Sequence, residues 1–228
     1  MCKTSYFVTF LAVGVSLTLN ILSITQPNWL TAHPPDIFHT DTRITYGLLE
    51  HCQSTLIDFP GPGESGKIRY SDYTCRPFPT LKDDGCDAED GNGKRRNFCV
   101  LWWLAGYASE LSVVFGGAAA LAIVFAVTTR SRRRRVWRAV ASLEVFHATF
   151  KILCFGLITD LYLTSRLPLF EYARPGPAFV LNILSWTLDV FIFFGVLITG
   201  LSADAGHAWA AGNRAYRSLS TSSEAGNS

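Results

Sequence analysis

Apolar positions fall into four long runs separated by polar sequence: residues 6–24, 100–127, 136–163 and 178–201. A membrane-crossing helix needs roughly 20 mostly apolar residues, and the four runs are of that order. Helices this long and apolar on all sides are rare outside a bilayer. Residues 25–99 are polar and hold two loosely alternating β-prone runs, "RITYGLL" and "KIRYSDYTC", bounded by Gly and Pro. "FPGPGESG", residues 59–66, reads as the turn joining two strands. The predicted fold class is mainly α and integral to the membrane. It is a four-transmembrane-helix bundle with a small extracellular antiparallel β-sheet on the outer helix ends.

The other segments follow from these. Residues 1–5 form a cytoplasmic N-terminus, 128–135 a basic cytoplasmic loop, 164–177 a second extracellular loop and 202–228 a disordered tail rich in Ala, Gly and Ser. A cleaved signal peptide is the alternative for the first run, with Lys3 as its basic region. The run exceeds a signal core and "SITQPNW" lacks a small-residue cleavage site, so retention is expected.

Composition agrees, with a mean hydropathy of +0.21. The net charge of +2 matters less than its distribution. Acidic residues concentrate between Asp36 and Asp90. Arg130, Arg132, Arg133, Arg134, Arg135 and Arg138 concentrate between the second and third runs. Short loops rich in Lys and Arg stay cytoplasmic, which places both termini inside and residues 25–99 and 164–177 outside. The same arginines are candidates for anionic-lipid contact. No nucleic-acid partner is expected, because the basic run lies between two spans.

Four of the six cysteines, Cys52, Cys75, Cys86 and Cys99, lie in the first external segment; Cys2 and Cys154 do not. That partition suits an oxidising exterior. Four cysteines allow three pairings, and local closure favours Cys52–Cys75 and Cys86–Cys99. A zinc site is the alternative, although no C-x-x-C pair is present. "LKDDGCDAEDGNGKRR" is acidic but lacks calcium-loop spacing and reads as a solvated loop. No N-x-Ser/Thr sequon occurs, so no standard N-glycan is expected.

Trp29, then Gly47-Leu48-Leu49, then Cys52 and Cys75 stand between the first two spans. This order resembles the external signature of the claudin and peripheral-myelin-protein superfamily: a Trp, a Gly-Leu-Trp and a disulfide-paired cysteine couple. The resemblance covers the whole topology but only about five signature positions, Trp29, Gly47, Leu48, Cys52 and Cys75. It implies a non-enzymatic tetraspan at the plasma membrane with a structural, adhesive or membrane-organising role. Leu49 replaces the usual Trp, the Cys52–Cys75 interval is long, a second cysteine pair is added, and "SSEAGNS" lacks an apolar scaffold-binding end. These departures point to a divergent member, or to the related fungal eisosome and pH-sensing tetraspans. Physically, Trp29 would settle at the membrane interface. Gly47 would allow a close backbone approach, and Leu49 would fill space under the sheet.

The spans carry ionisable residues. Glu144, His147 and Lys151 share one face of the third, and Asn182, Ser185 and Asp189 one face of the fourth. Glu110 lies in the second. Such groups must face the bundle and find partners. Lys151 is expected to pair with Asp189, with Glu110 as competing or additional partner and with His147 and Glu144 extending the seam. A device that fixes helix order is the expected role; a proton or ion pathway through Glu110, Lys151 and Asp189 is the alternative. Ser112, Gly116 and Ala120 form a small-residue line for close helix approach.

No catalytic set is read: His33, His39 and His51 lack ligand spacing, and no activated nucleophile accompanies His39 and Asp41. The chain is expected to be no enzyme and to need no cofactor. Expected partners are the lipid bilayer and either a second copy or another membrane protein; an accessory or sensor subunit of a membrane complex is the competing role. Arg166 and Arg174 are candidates for an acidic partner or lipid. Ser218 and Ser220, near Arg214 and Arg217, are candidate phosphorylation sites, and Cys2 a candidate palmitoylation site.

Overall fold

The computed structural model describes residues 3–33, 40–60, 67–80, 84, 86, 94–128, 133–164, 173–207 and 210. Outside them lie His39, most of the "FPGPGESG" turn and most of the acidic loop. So do Arg130, Arg132, Arg166, Cys2, Arg214, Arg217, Ser218 and Ser220. Four long helices carry the chain: α1 (Lys3–Thr25), α2 (Lys94–Thr128), α3 (Arg133–Leu163) and α4 (Pro177–Asp204). All four are long and apolar enough to cross a membrane, by length and composition. Pro177 opens α4, where a missing N–H costs nothing.

Five strands, β1 (Leu30–Ala32), β2 (Thr40–Tyr46), β3 (Glu50–Pro60), β4 (Lys67–Pro77) and β5 (Ala173–Pro175), form one sheet in the order β4-β3-β2-β1-β5. Every pairing is antiparallel. The sheet draws β1–β4 from the segment between α1 and α2, and β5 from that between α3 and α4. Leu30 opposes Pro175, so the C-terminal end of α1 and the N-terminal end of α4 meet at one sheet edge.

The chain divides into two compact units. The first comprises Met1–Thr18, Leu111–Phe150 and Leu184–Ser228; the second comprises Leu19–Glu110 and Lys151–Ile183. The first has an apolar core in which Tyr6 and Val13 of α1 join Ala119, Ile123 and Ala126 of α2. Val140 and Ala141 of α3 and Ile192 and Val196 of α4 complete it. Alanine recurs here because small side chains let helix backbones approach closely. Gly200 serves the same end: a Cβ there would stand 2.5 Å from the Trp137 ring.

The second unit holds the sheet and an aromatic core. Phe78 meets the Trp102 ring edge-on at 5.1 Å and lies 5.4 Å from Tyr46; Phe98 lies 5.5 Å from Trp102. Edge-to-face geometry brings a ring's positive rim to its neighbour's negative face. Cys52 and Cys75 sit directly opposite each other on β3 and β4 and are disulfide-bonded. Cys86 is bonded to Cys99, which stands on α2 because that helix begins at Lys94. The disulfides use all four sulfurs, so the zinc alternative falls.

Candidate functional site

Polar groups from all four helices converge in the first unit. On α1, Ser16 donates to Oδ1 of Asp189 on α4. Its hydroxyl lies 3.2 Å from that of Ser185, which donates to the Ser16 carbonyl at 2.8 Å. On α3, His147 places Nδ1 2.5 Å from the Ser112 carbonyl of α2 and Nε2 3.6 Å from Oδ2 of Asp189. Ser16, Ser112, Glu144, His147, Ser185 and Asp189 are all fully buried. Asp189 thus has a partner that the sequence did not suggest.

The imidazole lies against Gly116 on α2. A Cβ at that position would fall 2.6 Å from Cε1 and 2.9 Å from Nδ1. The small residues of α2 therefore form a seat for one ring: Gly116 supplies the space and Ser112 the acceptor. Beside it, Phe115 stacks on Phe146 and Phe150 at 5.3 and 5.5 Å.

Ser16 is the member that sequence reading missed. Its signal was present: Ser16, Asn20 and Ser23 recur at helical spacing in an apolar span, and all three are buried. Glu110 requires a correction, since it is exposed and does not join the buried polar set. Helical phase explains this. Ser109 and Ser112 occupy the inward face of α2, and Glu110 is turned about 100° from Ser109.

Lys151 is fully buried in the second unit. There Ser109 lies 3.5 Å from Asn20, and Cys154 is buried as a free thiol. Asn182 is also fully buried, and neither of its amide atoms has a hydrogen-bond partner among the described residues.

The signature residues gather in the second unit. Trp29 differs from its expectation: the ring is wholly buried in protein. Its Nε1–H donates to the Ser23 carbonyl at 2.7 Å, one of the last α1 carbonyls that the helix cannot satisfy. The Trp29 backbone N–H donates to Tyr46 at 2.9 Å, its carbonyl accepts from Gly176 at 2.8 Å, and its ring meets Phe179 edge-on at 6.0 Å. One residue thereby fastens α1, β2 and the start of α4.

Gly47 packs on the end of α1, where a Cβ would fall 2.7 Å from Cα of Pro27. Leu48 is buried at 3% exposure whereas Leu49 is 44% exposed, so the residue under the sheet is Leu48. Leu49 instead borders a shallow cleft with Ile24, Pro27, Gly47 and Glu50. The alternation follows from the tight turn closed by the Gly47 N–H to Glu50 carbonyl bond of 2.7 Å, which points adjacent side chains apart.

From the end of β4, Arg76 holds Asp84 through two bonds of 2.8 and 2.5 Å, and the Thr80 N–H adds a third at 2.7 Å. Burial raises the Asp84 pKa, but the Arg76 and Thr80 bonds outweigh it and leave the carboxyl below its ordinary value. Burial, with Arg76 nearby, lowers the pKa of His51. Burial pushes Tyr46 up to about 12.

Of the basic cluster, Arg133, Arg134 and Arg135 lie in the first turn of α3. Arg138 extends toward Asp204 at the end of α4, 3.4 Å away, and lies 5.4 Å from the Trp137 ring centre. No family model matches the chain, and no curated protein matches it.

Proposed function

We propose that this chain is a claudin-like, non-enzymatic tetraspan of the plasma membrane that organises membrane contacts through its external sheet. The observation that carries this reading is the disulfide-closed sheet, to which both segments linking the spans contribute. The β1–β5 pairing requires residues 30–32 and 173–175 to lie on one side of the bilayer. The positive-inside rule makes that side external and puts both termini in the cytoplasm. Trp29, Gly47, Leu48, Cys52 and Cys75 fall at the joints of this sheet, where the superfamily signature has its own residues. Exposed Tyr73 and Leu49 offer apolar area for a protein partner or a second copy. The arginines at the start of α3 supply charge for anionic lipid.

Impermeant thiol labelling of intact cells, with and without reduction, tests the reading. Cys52 and Cys75 should label only after reduction and from outside. Labelling without reduction, or only in permeabilised cells, rejects it. Proximity labelling then separates roles: neighbours spread along cell contacts favour organisation, and neighbours confined to one complex favour an accessory subunit.

A further inference from the structure

The first unit contains an arrangement that an organising role does not use. A carbonyl oxygen can only accept a hydrogen bond, so the 2.5 Å contact with Ser112 requires His147 Nδ1 to carry its proton. The other nitrogen, Nε2, then faces Asp189. Without a second proton, the site would oppose a nitrogen lone pair to a carboxylate in a fully buried setting, which is unfavourable. With one, it is either an imidazolium beside a carboxylate or a neutral imidazole accepting from a carboxylic acid.

We propose that His147 and Asp189 form a buried proton-binding site whose occupancy links α3 to α4. The bound proton lies between Nε2 and Oδ2. Its departure to water leaves Nδ1–H on Ser112 and removes the His147–Asp189 attraction from the α3–α4 contact. The α1–α4 contact persists, because Ser16 donates to Oδ1 and Ser185 donates to the Ser16 carbonyl. Proton binding would therefore act selectively on one helix pair.

The surrounding groups make this a specific site. From α1 comes the neutral Ser16, and from α2 the Ser112 carbonyl with the bare Cα of Gly116. On α3, Glu144 lies one turn before His147, and Lys151 one turn after it in the second unit. On α4, Ser185 lies one turn before Asp189. Within the first unit, the titratable groups that face one another are His147 and Asp189.

Nitrogen-15 NMR of histidine-labelled full-length protein in lipid nanodiscs reads the proton directly, with His147→Gln assigning the signal among the five histidines. The expected result is an Nδ1 that stays protonated while Nε2 changes state in one step across a pH titration. Asp189→Asn should move the pH of that step by on the order of one unit, a tenfold change in proton binding. Asp160→Asn, at an exposed carboxylate on α3, should not move it. An unprotonated Nδ1, or a step insensitive to Asp189, overturns the proposal. If Asp189→Asn fails to fold, the tautomer of the unmodified protein and the titration of Ser16→Ala decide. Ser16→Ala removes the donor to Oδ1 and should displace the step; an unchanged step also overturns the proposal.

Discussion

The His147 imidazole rests on the α-carbon of Gly116, where any added Cβ would fall 2.6 Å from the ring. The ring cannot withdraw without losing both the Ser112 carbonyl and Asp189. Gly116→Ala should therefore cost about 1–3 kcal/mol, the range for overpacking a well-packed interior. Gly117→Ala, at a position where a Cβ meets nothing, should be neutral or slightly stabilising through better helix propensity. Thermal unfolding of both variants in detergent tests this. Equal melting temperatures would remove Gly116 from the account.

Trp29 fastens the start of the sheet through its indole N–H as well as its bulk. Trp29→Phe keeps an aromatic ring but orphans the buried Ser23 carbonyl. A loss of about 1–3 kcal/mol is expected from an unsatisfied buried acceptor, with some further loss from the smaller ring. The readout is the apparent melting temperature. Trp103→Phe serves as the control, since its indole bond to Pro79 is longer, at 3.3 Å, and only partly buried. A Trp29 variant no worse than the control would return this residue to the lipid-interface role that its sequence position suggests.

Asn182 presents the opposite case. It is fully buried, and both amide atoms lack a hydrogen-bond partner among the described residues. An unsatisfied buried polar group costs about 1–3 kcal/mol, and an apolar group of similar shape removes that cost. Asn182→Leu should thus raise the melting temperature. A fall would mean that the amide is satisfied by a bound water or ligand, which a high-resolution experimental map would then reveal.

These residues also show what the sequence made legible. The four helices follow from the length of their apolar runs, and β2 and β4 from "RITYGLL" and "KIRYSDYTC". Local pairing of the cysteines is legible because adjacent strands bring Cys52 opposite Cys75. Helix phase is less so: Glu110 and Ser109 are neighbours, and only packing decides which points inward. The roles of Leu48 and Leu49 turn on one hydrogen bond across a tight turn. Strand β5 has three residues and gains its conformation from Leu30–Ala32, a long-range pairing that no local pattern encodes. Ser16 shares an inward stripe of α1 with Asn20 and Ser23, and the stripe alone does not single it out. Its importance comes from Asp189, far away in the chain.

The five-stranded sheet should lose stability toward both extremes of pH. Asp84 has a folded pKa below its unfolded value, through its bonds to Arg76 and Thr80. It therefore contributes stability above the unfolded value, about pH 4, which is lost as pH falls through the folded one. His51 also has a lowered folded pKa, from burial and Arg76. Between that value and about 6.5 the unfolded chain binds a proton that the folded chain does not, so stability falls with pH there too. Tyr46 acts oppositely. Its folded pKa of about 12 exceeds the unfolded value of about 10, so stability declines as pH rises through 10. Melting temperatures from about pH 2 to about pH 11, a range that spans all three titrations, should trace a dome. His51→Gln should flatten the shoulder just below pH 6.5, and Asp84→Asn should lower the plateau near neutrality while weakening the acid dependence. An acid limb unchanged in both variants would place its origin outside the sheet.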